Sequence, residues 1–183
     1  NELKKQRINP YPNKYEVKNR SSELQEKYKK LKHEQKTKDK AKIAGRLVNT
    51  RDLGKIIFGF LNDGYGKIQI TLQEKETPSQ IIEFFKKYID DGDFIGIEGL
   101  IFKTKRGELS VLVQKLELLS KSILPLPSKW HGLKDEEERL RKRYLDILSN
   151  PEVRVLFIKK AKFWSVIRNF LLERNFLEVE TPV

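Results

Sequence analysis

The sequence predicts a mainly β protein with α elements: a five-stranded Greek-key barrel with a helix ahead of it and further helices behind it. Three observations carry that expectation. Residues 54–72 read as two strands joined by a tight turn, with β-branched and aromatic residues over Ile56–Asp63 and strict polar–apolar alternation over Lys67–Leu72. The predicted order over residues 43–120 is strand, strand, strand, helix, strand, strand. Beyond Pro125-Leu126-Pro127 the pattern changes to helix-start signals and helical spacing. The expected organisation is a basic helical arm (1–42), the barrel (43–120), a linker (121–134) and the opening of a second α+β domain (135–183).

Taken in order, residues 2–7 predict one helical turn, ended by Asn9-Pro10-Tyr11-Pro12. Ser22 and Gln25 have capping-box spacing, and Leu24, Tyr28 and Leu31 recur at i, i+4, i+7, which predicts a helix with a narrow apolar stripe. The first strand is expected over Lys42–Val48, with Ile43, Gly45 and Leu47 inward, a bend or bulge at Gly45, and residues 49–54 as the following loop. In the next strand Ile57, Gly59 and Leu61 face inward and Phe58, Phe60 and Asn62 outward. Asp63-Gly64-Tyr65-Gly66 supplies the turn. Ile68, Ile70 and Leu72 then share the inner face, with Lys67, Gln69 and Thr71 on the other.

Ser79 is a candidate N-cap for a helix with the apolar face Ile81, Ile82, Phe84, Phe85 and Tyr88. Residues 93–102 and 108–119 are two further strands across the turn Lys103–Gly107. Asp135 and Glu138 open a helix that would bury Leu140, Tyr144 and Leu148, and Asn150-Pro151 opens a long one reaching about Arg174, with Asn175 as its stop. Residues 176–182 read as a strand cut short by the end of the chain.

Five strands with one helix between the third and fourth is the arrangement of an OB-fold, which binds oligonucleotides on its second and third strands. The outward Phe58 and Phe60 beside outward Gln69 suit base stacking with an amide at a base edge. A covering helix or domain is the alternative account, favoured for a single outward Phe; two Phe with a Gln and flanking Lys or Arg favour nucleic acid.

The net charge of +12 is unevenly spread. Residues 1–42 hold 14 Lys/Arg against 6 Asp/Glu, residues 43–120 hold 11 of each, and residues 121–183 hold 13 against 9. Phosphate contacts by the arm and base reading by the neutral middle fit that distribution, with Lys27, Lys30 and Arg46 as candidate phosphate ligands. Solvated lysine faces that keep the chain soluble are the plain alternative. There is no cysteine, which excludes disulfides and thiolate metal sites, and His33 and His131 have no ligand spacing. No apolar run is long enough to span a bilayer. The chain begins at Asn1 and contains no methionine, so its ends read as those of a fragment.

The motifs resemble the N-terminal part of class II lysyl-tRNA synthetases along nearly the whole chain. The matching pieces are Ile8–Pro12, Ala44-Gly45-Arg46, Gly54-Lys55 with Phe58, Gly66–Gln69, Lys103–Ser110, Leu124–Leu133, Arg141–Asp146 and Phe176–Pro182. Aspartyl and asparaginyl enzymes share the Phe/Gln pattern; the segments 124–133 and 141–146 favour lysine. The resemblance implies that Phe58 stacks on the middle uracil of the anticodon, that Gln69 hydrogen-bonds its edge, and that Arg51 and Glu108 complete the pocket. It implies tRNA-Lys as partner and a cytoplasmic, homodimeric full-length ligase using ATP and Mg2+, with Phe157, Trp164 and Pro182 at the dimer interface. The family's catalytic residues belong to motifs not found in these 183 residues, so no catalytic residue, metal site or cofactor is assigned and the chain alone is expected to be inactive. A free-standing OB-fold module binding single strands without sequence preference, and a barrel that docks a protein partner, are the competing readings.

Overall fold

The computed structural model describes all residues except 1, 6, 7, 125, 127–132, 134 and 183. It forms two compact units, Asn1–Pro125 and Leu126–Val183. The expected linker therefore lies largely outside the described residues, as does most of the segment 124–133.

In the first unit, β1 (Lys36–Asp52), β2 (Ile56–Asn62), β3 (Lys67–Gln73), β4 (Phe94–Lys103) and β5 (Leu109–Ser120) close a barrel in the order β1-β2-β3-β5-β4. All pairings are antiparallel except the short β3–β5 pair, Gln69↔Ser110, Ile70↔Val111 and Thr71↔Leu112. The inner faces are those the alternation predicts: Ile43, Leu47, Ile57, Leu61, Ile68, Ile70 and Leu72 are all buried in one core with Ile95, Ile97 and Val111. Burying a side chain of this size contributes about 1.5–3 kcal/mol, so the interior rather than the loops holds the barrel closed.

β1 is longer than expected at both ends. Its first five residues are Lys36-Thr37-Lys38-Asp39-Lys40, whose uniformly polar sequence gives no alternation to read, yet they pair with β4 across a register shift. At the other end the strand runs on through Arg51 and Asp52 because the extra residue sits at Asn49, with φ 58°, and not at Gly45. Gly45 instead permits close approach, since a Cβ there would lie 2.7 Å from the Asn62 carbonyl oxygen.

Several contacts tie the arm to the barrel, the Asp63 carboxylate among them. α1 (Glu2–Lys5) is a single turn, and α2 (Ser21–Lys27) begins after Arg20, two residues earlier than a Ser22 cap would place it. Asp63, in the β2–β3 turn, accepts from the Ser21 amide at 2.6 Å and the Ser21 hydroxyl at 2.7 Å. Its Oδ1 also accepts from the Tyr65 and Gly66 amides, both at 2.9 Å. Leu24 enters the core as expected; Tyr28 and Leu31, past the end of the short helix, are only half-buried. α3 (Ser79–Tyr88) starts on Ser79 itself with Pro78 ahead of it, so Ser79 is not the cap.

In the second unit, α4 (Glu136–Arg141) is capped by Asp135, whose carboxylate accepts from the Glu138 amide at 2.7 Å. The helix is interrupted at Lys142 and is followed by α5 (Arg143–Ser149), then α6 (Pro151–Leu172). Asp146 organises this turn: its fully buried carboxylate accepts from Arg139, Arg143 and Asn150. Burial alone would raise its pKa, but bonds from Asn150, Arg139 and Arg143 hold it below the ordinary value. The Asn150 side chain is thereby spent on Asp146 and does not cap α6. Leu140 and Tyr144 are exposed and Leu148 half-buried, contrary to expectation, because no element among the described residues of the unit covers them fully. α6 stops where Asn175 takes φ 59°, with the Phe176 amide bonded back to Leu171 O at 3.1 Å and Asn175 to Leu172 O at 3.0 Å. Residues 176–182 form no strand, having no strand to pair with among the described residues.

Asp63 gives a pH test. Burial pushes its pKa up, but bonds from Ser21, Tyr65 and Gly66 outweigh that and hold it below the usual value. A depressed folded pKa means stabilisation that is complete above the unfolded value of about 3.9 and lost as pH falls through the folded one. Protection of the Ser21 amide against exchange should therefore drop below about pH 4. Asp63→Ala should destabilise the first unit by about 1–3 kcal/mol at neutral pH, measured by urea unfolding.

Candidate nucleic-acid interface

Residues paired across a sheet point to the same side, so the register assembles the outer face rung by rung. One rung runs Arg51 (β1), Phe58 (β2), Thr71 (β3), Leu112 (β5) and Leu100 (β4). The next runs Val48, Phe60, Gln69, Ser110 and Phe102 along the same strands. Phe58 lies outside the core and is half-exposed, as the alternation requires. Gln69 is the diagonal neighbour of Phe58, within reach of an aromatic or long side chain.

Arg51 reaches this face because of the bulge. Before it, Val48 opposes Phe60; after it, Arg51 rather than Thr50 opposes Phe58. Thr50 is turned instead to Asp91, its amide bonding the carboxylate at 3.0 Å. Alternation alone leaves Arg51 in a loop, and the inserted Asn49 is what makes it a direct neighbour of Phe58. Glu108 stands exposed in the turn before β5, its amide bonded to the Thr104 hydroxyl at 3.0 Å. By the parallel register it falls on the far side of Gln69 from Thr71. The structure thus brings Arg51, Phe58 and Gln69 together and leaves Glu108 at the rim.

The outer face of β3 is less solvated than its polar residues suggest. Gln69 is only 8% exposed and Thr71 2%, because β2 and β5 flank them with Phe58, Phe60 and Leu112. The side chains of Arg51, Gln69 and Glu108 make no hydrogen bond or ion pair with any described residue. The Thr71 hydroxyl is buried without a partner among the described residues. An unpaired buried hydroxyl costs about 1–3 kcal/mol, so this face carries polar groups the fold itself leaves unused. Sequence reasoning does not single out Thr71, although alternation already puts it on the face of Gln69.

The three candidate phosphate ligands differ. Lys27 is exposed, 3.8 Å from Asp39, and Lys30 is exposed with no partner among the described residues. Arg46 is half-buried, donates to the Gly92 carbonyl at 2.9 Å and lies 4.3 Å over the Phe94 ring; burial lowers its pKa. Arg46 is committed to locking β1 onto the start of β4, so of these three Lys30 alone has no partner among the described residues. No group of three or more His, Asp or Glu able to hold a metal occurs among the described residues.

Residues 41–119 match the family described as an OB-fold nucleic acid binding domain, of the tRNA anti-codon type. Residues 135–183 match tRNA synthetases class II (D, K and N). Among curated proteins, the chain is 46% identical over 179 residues to lysine–tRNA ligase 2 of Methanosarcina mazei, covering 97% of this chain and 34% of that protein. It is 48% identical over 179 residues to lysine–tRNA ligase of Gloeobacter violaceus, covering 96% and 36%. The chain belongs with the N-terminal regions of class II lysyl-tRNA synthetases. A third relative, lysine–tRNA ligase of Aquifex aeolicus, is 49% identical over 141 residues, 77% of this chain and 24% of that one. The chain spans about a third of the length of the first two relatives. No helix among its described residues is long and apolar enough to cross a membrane.

The bulge gives a stability test. At φ 58° a β-branched residue is strained by about 1–2 kcal/mol. Asn49→Val should lower urea stability by that amount, whereas Asn49→Gly should leave it nearly unchanged.

Proposed function

We propose that the barrel reads the anticodon loop of a lysine tRNA on behalf of a class II lysine–tRNA ligase. The observation that carries this reading is the outer face of β1–β3, where an uncommitted Arg51, a half-exposed Phe58 and an uncommitted Gln69 lie side by side. Phe58 stacks on the middle base. A uracil there offers carbonyl acceptors at O2 and O4 and a donor at N3–H; the Gln69 carboxamide satisfies one of each kind, and Arg51 donates to a carbonyl or lies against the ring. Glu108 closes the rim and accepts from a base N–H. Cytosine has no N3–H and carries an amine at C4, so it leaves buried groups of the site mispaired.

Lys27, Lys30 and the lysines around them supply phosphate contacts that hold the loop without reading it. In the whole ligase, lysine is activated with ATP and Mg2+ and transferred to the tRNA. No step of that chemistry is assigned to the described residues. The exposed Phe157 and Trp164 of α6, together with Pro182, form the homodimer contact of a cytoplasmic enzyme.

Replacing the middle U of the loop by C should weaken binding by about 1–3 kcal/mol in fluorescence titration. Phe58→Ala should lose a similar amount, about 1–3 kcal/mol, with the urea transition retained because the ring is outside the core. Equal affinity for both loops would favour a module without base preference. Changing Lys27 and Lys30 to Ala should weaken all RNAs alike and flatten the salt slope by roughly 0.7–0.9 for each phosphate that is no longer neutralised; a base-dependent effect would remove them from the phosphate-binding set.

A further inference from the structure

We propose that Phe60 is a second stacking platform, carrying the loop base next to the one on Phe58, on the side that faces the basic arm. The inference rests on the base-site reading of Phe58 and Gln69 and extends that site from one nucleotide to two.

Three observations converge on Phe60. Alternation and register put it on the outer face with Phe58, opposite Val48 on β1 and Gln69 on β3. It is half-buried and stands outside the core cluster, as Phe58 does. Among the described residues no aromatic ring pairs with it and no cation lies over it, whereas Phe84 pairs with Tyr88 and Phe94 lies under Arg46.

The spacing calls for two bases. Two residues along a strand separate the phenyl-bearing positions by roughly 6.5–7 Å, about twice the ~3.4 Å between successive bases of a duplex strand. A pyrimidine ring is close to one phenyl in size, so a base seated on Phe58 leaves Phe60 to another. Its neighbour, unstacked from it, needs a platform of its own.

The placement of the arm says which neighbour. β2 runs from Phe58 through Phe60 to the turn at Asp63. α2 is fastened at that end, by Ser21 on Asp63 and by the Gln25 carboxamide, which donates to the Lys67 carbonyl at 2.6 Å. Lys67 stands between, two residues from Gln69 on the same face of β3 and exposed. Its ammonium makes no hydrogen bond or ion pair with any described residue. A strand that leaves Phe58 for the lysines of the arm thus crosses Phe60 and meets Lys67 at the following phosphate. Gln69, the direct cross-strand partner of Phe60 and diagonal to Phe58, sits between the two bases.

The test uses the 183-residue chain as wild type, Phe60→Leu and Phe60→Tyr, titrated against RNA hairpins whose central loop bases are all uridine. Matched hairpins carry one abasic residue, at the middle position or at its 5′ or 3′ neighbour. Phe60→Leu should bind the intact loop about tenfold more weakly, within the range of one lost stacking contact, and Phe60→Tyr should bind as the wild type does. The leucine penalty should vanish on the loop lacking one particular neighbour and persist on the loop lacking the middle base. 5-Iodouridine at that same neighbour should photocrosslink the wild type at Phe60, which reports the contact should the leucine variant fold poorly. For a leucine variant that keeps its urea transition, binding of the intact loop equal to wild type would overturn the assignment while leaving the base site standing. So would a penalty that survives on both neighbour-abasic loops or vanishes on the middle-abasic one, and so would crosslinking to another residue. A wild type indifferent to loss of the middle base would remove the base site and this inference with it.

Discussion

Three parallel residue pairs between β3 and β5 hold the rest in place. Without Gln69↔Ser110, Ile70↔Val111 and Thr71↔Leu112 the barrel would be an open sheet in the order β3-β2-β1-β4-β5, with β3 and β5 as unpaired edges. Closing the barrel buries Ile70 and Val111 completely on the inside. The same step sets β5 against the outer face of β3, walling in Gln69 and Thr71. The core and the candidate interface are thus two sides of one pairing, and the interface inherits the rigidity of the core.

The outer face combines aromatic surface with polar groups that the protein does not satisfy internally. Elsewhere in this chain, buried charge is fully occupied: Asp146 takes three side-chain partners, and Asp93 takes Lys121 at 2.8 Å and the Ser122 amide at 2.7 Å. The contrast between those saturated clusters and the idle Gln69 carboxamide on β3 separates structural polarity from polarity available to a ligand. Charge follows the same division, the neutral barrel carrying shape and hydrogen bonding and the arm an excess of lysine.

Much of the barrel is legible in the sequence because its strands alternate cleanly. Ile57/Gly59/Leu61 and Ile68/Ile70/Leu72 can point only one way once one face is assigned to the core, and Phe58 and Gln69 follow on the other. Arg51 reads as a loop residue because one inserted residue is invisible to alternation: Asn49 and Thr50 look like turn residues whether the strand ends there or bulges and continues. The first residues of β1 escape because a wholly polar edge has no pattern. Burial of Thr71 and Gln69 is out of reach for another reason, since it depends on which side chains two neighbouring strands bring alongside. In the second unit, periodicity identifies Leu140 and Tyr144 as apolar-face residues, but the surface that would cover such a face is not encoded in the helix that carries it.

The Asp63 clasp has a mechanical corollary. The hairpin turn it occupies joins the two strands bearing Phe58 and Gln69, and the helix it grips leads into the lysine cluster. The lysine cluster and the aromatic outer face are therefore indexed to each other in part by this acidic rivet. Under the proposed function, a strand seated one nucleotide out of step would meet its charges and its stacking surface at mismatched places, and the arm would serve as a ruler as well as an anchor.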